Sequence, residues 1–390
     1  LDNNVFPSLG MLYVAGALRK AGIDVFVGQL NEFPNEPDYI GISATTPQFS
    51  TAVEATKQAR RRFKNSKIVI GGCHATLCPT DFTDYANYVV TGEADWHNLI
   101  DIIQDVDIQI IRMPRHLDLN NLPYPARDLI DLNKYHYKII DDHGNAYRAT
   151  SVMTSRGCPY NCSFCSAGVR TGGVNFRGHL DVIEELRQLK GMGYEAAHFF
   201  DDTFSFKTDR MLGIAEGLDN LGMKWRCFVR SNTVNYEILQ AMKALGCVEV
   251  GCGIESGSQK ILDNVNKKTT VEMNTKFMDN ARRAGLRVKT FILIGLPGET
   301  HETIAETKKW IIENKPPVAD ICIFVPYPDS DIVNYKEKYD IDWCQTTWDN
   351  YWYKGHQEDV KSMVWTNGLT REEITEYRKE LEQIYLNERS

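Results

Sequence analysis

Hydrophobic and polar positions follow two periods along the chain, and the change between them predicts alternating strands and helices. In residues 1–113, apolar positions at helical spacing predict helices over Pro7–Ala21 and Pro47–Phe63. A third helix is expected over Glu93–Gln104. Short apolar runs predict four strands: Ile23–Val27, Tyr39–Ala44, Lys67–Ile70 and Tyr88–Val90. This alternation predicts a parallel sheet covered on both faces. Because the unit opens with a helix, its first strand is expected to lie upstream of Leu1 or to have been lost.

The same alternation returns over residues 147–332 with a regular spacing. Six strands are predicted: Thr150–Met153, Ala197–Phe200, Trp225–Val229, Val248–Gly253, Val288–Ile294 and Ile321–Val325. Helices are predicted between them: Leu180–Lys190, Asp209–Leu221, Tyr236–Leu245, Val271–Ala284 and Glu302–Glu313. Six strand–helix units predict a partial (β/α)6 barrel with its site at the carboxyl ends of the strands.

Two further segments complete the predicted organisation of this α/β chain. Proline and polar residues over 114–146 predict a surface linker without regular structure. Residues 333–390 form a closing C-terminal segment that ends in a helix over Thr370–Leu386. An aromatic stretch in this segment is expected to pack against the barrel or to line its mouth: Trp343, Trp348, Tyr351, Trp352 and Tyr353.

Charge and composition narrow the class of protein. The chain has 44 basic and 52 acidic residues, a net charge of −8 that argues against a partner that is a nucleic acid polymer. No apolar run approaches the ~18 residues of a membrane span, and the first residues do not resemble a signal peptide. Ten cysteines in 390 residues are too few for a disulfide scaffold, so reduced thiols and a cytoplasmic location are expected.

Three of the cysteines fall close together as Cys158-x3-Cys162-x2-Cys165, directly after the first predicted barrel strand. A short loop with three thiolates is suited to three irons of a 4Fe–4S cluster, whose fourth iron then stays open. Zinc bound by the three cysteines and one of His143, His179 or His198 is an alternative, and three unrelated thiols are another. The remaining cysteines show no matching cluster and are expected in the core or in loops.

The three cysteines, with Phe164 before the last, resemble the signature of the radical S-adenosylmethionine (SAM) superfamily. Each later predicted strand also ends in residues similar to a motif of that family. The resemblance implies SAM contacts at four of these ends: Asp201 and Asp202 with the amino group, Arg230 with the carboxylate, Glu255 and Ser256 with the ribose, and Gly295 and Leu296 with the adenine. Each of these residues also has an interpretation without SAM. The acidic residues could cap helices, Arg230 could be a surface or salt-bridged arginine, and Gly295–Thr300 could be an ordinary turn.

The first domain resembles the cobalamin-binding, Rossmann-like domain that precedes many radical SAM barrels. The resemblance rests on short glycine-rich motifs and implies a set of cofactor contacts: Thr45, Gly71, Gly72, His74 and Gly92. The Asp-x-His-x-x-Gly motif that supplies a cobalt ligand in many cobalamin proteins is absent. A histidine after a Gly-Gly strand end, such as His74, has a second interpretation as a plain loop residue.

The resemblance implies an enzyme that cleaves SAM at a 4Fe–4S cluster to a 5′-deoxyadenosyl radical. That radical would take hydrogen from an unactivated carbon, with cobalamin-dependent methyl transfer as the leading expectation. The alternative is a dehydratase, epimerase or cyclase whose first domain is degenerate and binds no cobalamin. A third interpretation of the sequence is a non-catalytic module that binds an iron–sulfur cluster or zinc. The expected partners are a small-molecule substrate and an external electron donor of the flavodoxin or ferredoxin type.

Overall fold

A computed structural model describes residues 6–33, 35–93, 109–113, 118–167, 173–344, 347–351 and 360–388. Within it the chain divides into two compact units. The first contains residues 1–136, 167–177 and 346–351, and the second contains 137–166, 178–345 and 352–390. None of the described helices is both long enough and apolar enough to span a membrane.

The first unit is a parallel sheet with helices packed on it. Its strands are β1 (Tyr39–Ser43), β2 (Lys67–Gly71), β3 (Tyr88–Thr91) and β4 (Ile110–Arg112). Its helices are α1 (Leu9–Lys20), α2 (Phe49–Arg62) and α3 (Cys73–Leu77). The four strands lie in the order β1-β2-β3-β4, and all three neighbouring pairs are parallel. Apolar residues of β1, β2 and α2 share one buried core, which includes Ile40, Ala59 and Ile70.

Several predictions for this unit need correction. Ile23–Val27 is not a strand, because an extended segment needs a hydrogen-bonding neighbour, and β1 pairs with β2 alone. The sequence interpretation also missed β4 and α3, which are only three and five residues long. Residues 94–104 of the predicted third helix lie outside the described residues.

The second unit is a curled, partly closed barrel. Its strands are β5 (Lys138–Ile140), β6 (Ala146–Val152), β7 (Ala196–Phe199), β8 (Lys224–Val229), β9 (Cys247–Glu255), β10 (Arg287–Ile294) and β11 (Val318–Ile323). They lie in the order β11-β10-β9-β8-β7-β6-β5. The six strands β6 to β11 are parallel, as predicted, and β5 joins β6 antiparallel. The linker prediction therefore fails at one place, since Lys138–Ile140 is part of this sheet.

Helices follow the strands of the second unit at the predicted positions, and two short helices, Gln259–Asn264 and Asp331–Asn334, were not predicted. They are α4 (His179–Gly191), α5 (Thr208–Asn220), α6 (Tyr236–Ala244), α7 (Gln259–Asn264), α8 (Val271–Arg283), α9 (His301–Asn314), α10 (Asp331–Asn334) and α11 (Arg371–Asn387). Exposure alternates along β8, where Trp225, Cys227 and Val229 are buried and the residues between them are partly exposed. This period of two gives β8 one fully covered face and one face toward the hollow of the barrel.

The closing helix α11 covers the edge strand of the second unit. Arg378, itself buried, donates from Nε to the carbonyl of Ile321 in β11. Tyr385 donates from its hydroxyl to the carbonyl of Pro317. An uncovered edge strand exposes backbone groups that can pair with other chains, and α11 blocks this edge.

Candidate functional site

Cys158, Cys162 and Cys165 lie on one loop after β6, at the carboxyl end of the barrel strands. Cys158 is half-buried, Cys162 is buried and Cys165 is exposed. All ten cysteines lie within the described residues, and none forms a disulfide. Among these residues, the three sulfurs are not a group whose ligand atoms all lie within 4.8 Å of one another. The three sulfurs therefore do not converge as the ligands of a single zinc ion do.

The histidines weighed for the zinc alternative support the same conclusion. His143 and His179 are exposed. His198 is buried in β7 and stacks on Tyr137 with ring centroids 5.7 Å apart. Burial lowers the pKa of His198 to about 2, so its ring is a neutral part of the barrel interior.

A fully buried carboxylate anchors the start of the cysteine loop. Asp201 accepts hydrogen bonds from the Thr154 amide at 2.7 Å, the Thr154 hydroxyl at 2.6 Å and the Ser155 hydroxyl at 2.5 Å. Burial raises the pKa of Asp201, and these hydrogen bonds oppose the rise. Both Asp201 oxygens are therefore engaged within the protein, while its neighbour Asp202 is exposed. Contact of either residue with SAM stays a prediction.

The middle of the cysteine loop is held from two other directions. The Ser163 amide donates to the carbonyl of Val265 at 2.9 Å, and Asn266 donates from its side chain to the carbonyl of Asn161 at 2.8 Å. The Ile332 amide donates to the carbonyl of Ser163 at 3.0 Å. The loop that carries the three sulfurs is thus fixed by protein contacts alone.

Arg230, at the end of β8, points its guanidinium at the cysteine loop. Its Nη1 lies 3.5 Å from the Cys162 sulfur, and its charged group lies 4.0 Å from the centre of the Tyr160 ring. The side chain is buried, yet Nε and Nη2 make no hydrogen bond to any described residue. Buried guanidinium nitrogens without acceptors are costly. A carboxylate is the group that fits such a pair of donors best.

Glu255 and Lys267 form a buried ion pair at the end of β9. Lys267 Nζ lies 2.6 Å from Glu255 Oε1, and the two side chains are 7% and 8% exposed. Burial acts to lower the pKa of Lys267, but Glu255 and Cys162 outweigh it, so the pKa lies above its usual value. Lys267 Nζ also lies 5.9 Å from the centre of the Phe164 ring. The sequence interpretation identified Glu255 and Phe164 but missed Lys267.

The backbone around this pair is strained. Glu255 has φ +63°, and Asn266 and Lys268, on either side of Lys267, have φ +53° and +57°. Non-glycine residues in this region cost free energy and concentrate at functional sites. Gly253 leaves the space for the pair, since a Cβ there would lie 2.1 Å from Glu255 Oε1.

The three remaining predicted SAM contacts, Ser256, Gly295 and the fully buried Leu296, follow the ends of β9 and β10. Ser256 is fully buried, and its hydroxyl accepts from the Ser258 amide and bonds the Thr307 hydroxyl. Gly295 has φ +80°, and its amide donates to Glu299 Oε2 at 2.5 Å. Burial raises the pKa of Glu299 to about 8, against hydrogen bonds from the Gly295 and Leu296 amides. Glu299 therefore keeps the predicted adenine turn in one conformation.

The residues predicted to contact cobalamin lie where three strands of the first unit end. Thr45 and Gly72 are exposed after β1 and β2, Gly92 is partly exposed after β3, and Gly71 is buried within β2. A Cβ at Gly72 would lie 2.7 Å from the Ser43 hydroxyl, so the two strand ends approach closely only because this residue is glycine. Small exposed residues at the carboxyl ends of parallel strands fit a flat ligand.

His74 does not share this position. Its side chain is fully buried, with the rings of Phe49, Phe82 and Trp348 within 5.5 Å, centre to centre. Trp348 and Tyr351, considered for the barrel mouth, pack on each other within the first unit at 4.8 Å. Trp352 and Tyr353 lie outside the described residues.

Comparisons with known proteins identify the domain in each part of the chain. Residues 3–96 match the B12 binding domain, and residues 152–311 match the radical SAM superfamily. An uncharacterized methyltransferase of Pyrococcus horikoshii is 31% identical over 84% of this chain and 78% of its own length. A bacteriochlorophyllide d C-8(2)-methyltransferase of Chlorobaculum tepidum is 27% identical over 78% of this chain and 70% of its own length. The anaerobic magnesium-protoporphyrin IX monomethyl ester cyclase of Cereibacter sphaeroides is 25% identical, and the match spans 83% of this chain and 59% of the cyclase.

A solved structure shows the same fold. The radical SAM methyltransferase TsrM from Kitasatospora setae, with cobalamin and a [4Fe-4S] cluster bound, superposes with a TM-score of 0.70 at 16% identity. The match covers 86% of this chain and 74% of TsrM. The chain is therefore an enzyme of the radical SAM superfamily, in the group that carries a cobalamin-binding domain ahead of the barrel.

Proposed function

We propose that this enzyme is a cobalamin-dependent radical SAM methyltransferase that transfers a methyl group to an unactivated carbon of a small molecule. A bound 4Fe–4S cluster with SAM supplies a 5′-deoxyadenosyl radical on reduction, and bound cobalamin supplies the methyl group. The observation that carries the proposal is Arg230, whose two buried, unbonded nitrogens lie beside the loop of three cysteines.

The chain's own residues have separable tasks in this proposal. Cys158, Cys162 and Cys165 hold the cluster, and Arg230 binds the SAM carboxylate. Glu255, oriented by Lys267, accepts the ribose hydroxyls, and the turn at Gly295 and Leu296 takes the adenine. Thr45, Gly72 and Gly92 form the edge at which cobalamin binds. The protein binds, orients and excludes water, while the cofactors carry the bond-breaking chemistry.

The methyl-transfer proposal rests on the relatives together with the small-residue edge of the first unit. Three of the relatives compared are methyltransferases or structures of one. The alternative, radical chemistry without cobalamin, would leave the exposed strand ends of the first unit unused. Both the methyl-transfer proposal and the alternative need an external electron donor of the flavodoxin or ferredoxin type to reduce the cluster.

Anaerobic reconstitution with iron, sulfide, SAM and reductant, with and without hydroxocobalamin, tests the proposal. We expect 5′-deoxyadenosine in both samples. S-adenosylhomocysteine and retained corrinoid absorbance are expected only with hydroxocobalamin. Formation of 5′-deoxyadenosine with no corrinoid retention would select the alternative. No 5′-deoxyadenosine from a protein with a full cluster would refute the radical SAM activity itself.

A further inference from the structure

Three side chains of different chemistry converge in the first unit, away from the cysteine loop. His74 lies in α3, Cys78 ends that helix, and Asp81 lies in the 3-10 turn that follows. Their potential ligand atoms all lie within 4.8 Å of one another. Among the described residues, this is the group of histidine, cysteine and carboxylate side chains that meets that geometry.

The His74 ring nitrogen Nε2 points into this group and is unsatisfied. The side chain is 0% exposed and is enclosed by the rings of Phe49, Phe82 and Trp348. Within the described residues, Nε2 makes no hydrogen bond. A buried polar atom of this kind is rare in a folded protein and calls for an explanation.

One carboxylate oxygen lies at the separation from Nε2 that is expected of a second metal ligand. Asp81 Oδ2 lies 3.3 Å from Nε2 without the alignment of a hydrogen bond. Bonds of ~2.0–2.3 Å at tetrahedral angles place neighbouring donor atoms about 3.3–3.8 Å apart.

Hydrogen bonds from neighbouring side chains orient His74 and Asp81, as such bonds orient the ligands in metal sites. The other ring nitrogen, Nδ1, lies 3.3 Å from the hydroxyl of the buried Thr46. Trp348 donates from Nε1 to Asp81 Oδ2 at 2.7 Å. Hydrogen bonds to a ligating histidine and to a ligating carboxylate hold both side chains in position.

We propose that His74, Cys78 and Asp81 bind one divalent cation of the zinc type. Nitrogen, sulfur and oxygen donors are the set that Zn²⁺ takes in proteins, and three protein ligands leave a fourth position for water. Cys78 and Asp81 are only half-buried, which gives the ion a route from solvent. The ion joins α3, the following turn and, through Trp348, the segment 347–351.

The proposal does not depend on the proposed enzymatic function. In this proposal His74 binds the divalent cation and does not bind the cobalt of cobalamin. Because the ligands lie in the first unit and the cluster cysteines lie in the second, the two metal sites can be measured separately.

The test uses the full chain with Cys158, Cys162 and Cys165 all changed to alanine, so that these thiols cannot bind the probe. Zn²⁺ alone is added, excess is removed, and bound zinc is measured by elemental analysis. We expect about one equivalent. We expect Cys78→Ser and Asp81→Asn, each in this background, to weaken zinc binding at least tenfold in competition with a chromogenic chelator. Cys73→Ser, at a neighbouring cysteine of the same helix, should bind zinc as the parent does.

Cobalt substitution gives a second readout that does not depend on zinc content. Co²⁺ in the site should show a thiolate-to-cobalt charge-transfer band, which Cys78→Ser abolishes and Cys73→Ser keeps. The same spectra in the chain with intact cluster cysteines, with iron measured alongside, cover the case in which the alanine background does not fold. Zinc content unchanged by Cys78→Ser and Asp81→Asn, or no zinc in any folded form, overturns the proposal.

Discussion

At the residue scale, the sequence predicts the cluster ligands but not the groups that hold their neighbours. The spacing of Cys158, Cys162 and Cys165 predicts the ligands, and the resemblance to the radical SAM family adds Arg230 and Glu255, each at the end of a predicted strand. Lys267 cannot be found in this way. Its contact with Glu255 depends on left-handed backbone at Asn266 and Lys268, and a polar Asn-Lys-Lys run is ordinarily a surface turn.

The three cluster cysteines should be separable from the core cysteines. We expect Cys158→Ala, Cys162→Ala or Cys165→Ala to abolish both the cluster absorbance and the formation of 5′-deoxyadenosine. Cys252→Ala is the control, because Cys252 is fully buried and burial raises its pKa to about 12, which keeps it a thiol. Loss of the cluster in Cys252→Ala, with retention in a variant of the loop, would contradict the assignment.

Breaking the Glu255–Lys267 ion pair should lower both the stability of the protein and its affinity for SAM. Lys267→Met leaves a buried carboxylate without its partner, which costs about 3–5 kcal/mol of unfolding free energy. We expect the double variant Lys267→Met/Glu255→Gln to recover much of that loss in denaturant unfolding.

Because Lys267 orients Glu255, SAM affinity should fall more than tenfold in Lys267→Met, while iron content stays near one cluster per chain. Lys267→Arg should restore part of the affinity. Lys268→Met removes the same charge from an exposed neighbour and should bind SAM normally. Equal SAM affinity in the Lys267→Met and Lys268→Met variants would leave Lys267 with a structural role only.

Glu299 predicts a pH dependence of stability. Its pKa is raised from the ordinary 4.5 to about 8, so the folded state holds a proton that the unfolded state releases. The stabilisation is complete below pH 4.5 and is lost as the pH rises to about 8, at up to about 1.4 kcal/mol per pH unit. The free energy of unfolding should therefore fall between pH 5 and 8, and we expect Glu299→Gln to remove this part of the pH dependence. Glu302→Gln, at an exposed site in the first turn of α9, should keep it.

At the element scale, the barrel was predictable and the first unit less so. All six parallel barrel strands and the five helices predicted between them match within a few residues, because period-two and helical patterns alternate there at regular spacing. The short helix α7 was not predicted. Ile23–Val27 has the composition of a strand, yet a strand is a pairing and not a property of one segment. Lys138–Ile140 shows the converse, since three residues become a strand because β6 lies beside them.

The closing helix provides a test at this scale. Thr370 caps α11 by accepting from the Glu373 amide, and the Glu373 carboxylate accepts from the Thr370 amide in return. We expect Thr370→Ala to cost about 1 kcal/mol of unfolding free energy, because the cap is lost. Thr370→Ser keeps the oxygen and should be close to wild type in the same thermal or denaturant unfolding. A full-sized loss in Thr370→Ser would show that the methyl group, and not the cap, matters.

At the scale of the whole molecule, the two cofactor systems are assigned to different units. The predicted corrinoid contacts Thr45, Gly72 and Gly92 lie in the first unit, while Arg230 and Glu255 lie in the second. We expect hydroxocobalamin to slow hydrogen exchange in peptides that contain residues 43–46 and 71–76. SAM added to the reconstituted enzyme should slow exchange in peptides around Arg230 and Glu255. Corrinoid binding without protection at 43–46 and 71–76 would place cobalamin elsewhere on the chain.

Contacts between distant parts of the sequence account for what could not be predicted at this scale. The indole of Trp348 donates a hydrogen bond to Asp81, which lies 267 residues earlier in the sequence, and no pattern in either segment predicts this contact. Trp348 also packs on the buried His74, together with Phe49 and Phe82, so a residue that the sequence resemblance implies as a cobalamin contact lies inside an aromatic cluster.

The anchoring of the cysteine loop has a consequence for variants that lose the cluster. Asp201, Val265, Asn266 and Ile332 hold the loop through hydrogen bonds in which none of the three cysteine side chains takes part. Exchanging one of these cysteines therefore removes a predicted iron ligand without removing any of these hydrogen bonds. Such a variant separates loss of the cluster from loss of the loop's protein contacts, a distinction that a loop held only by its metal would not allow.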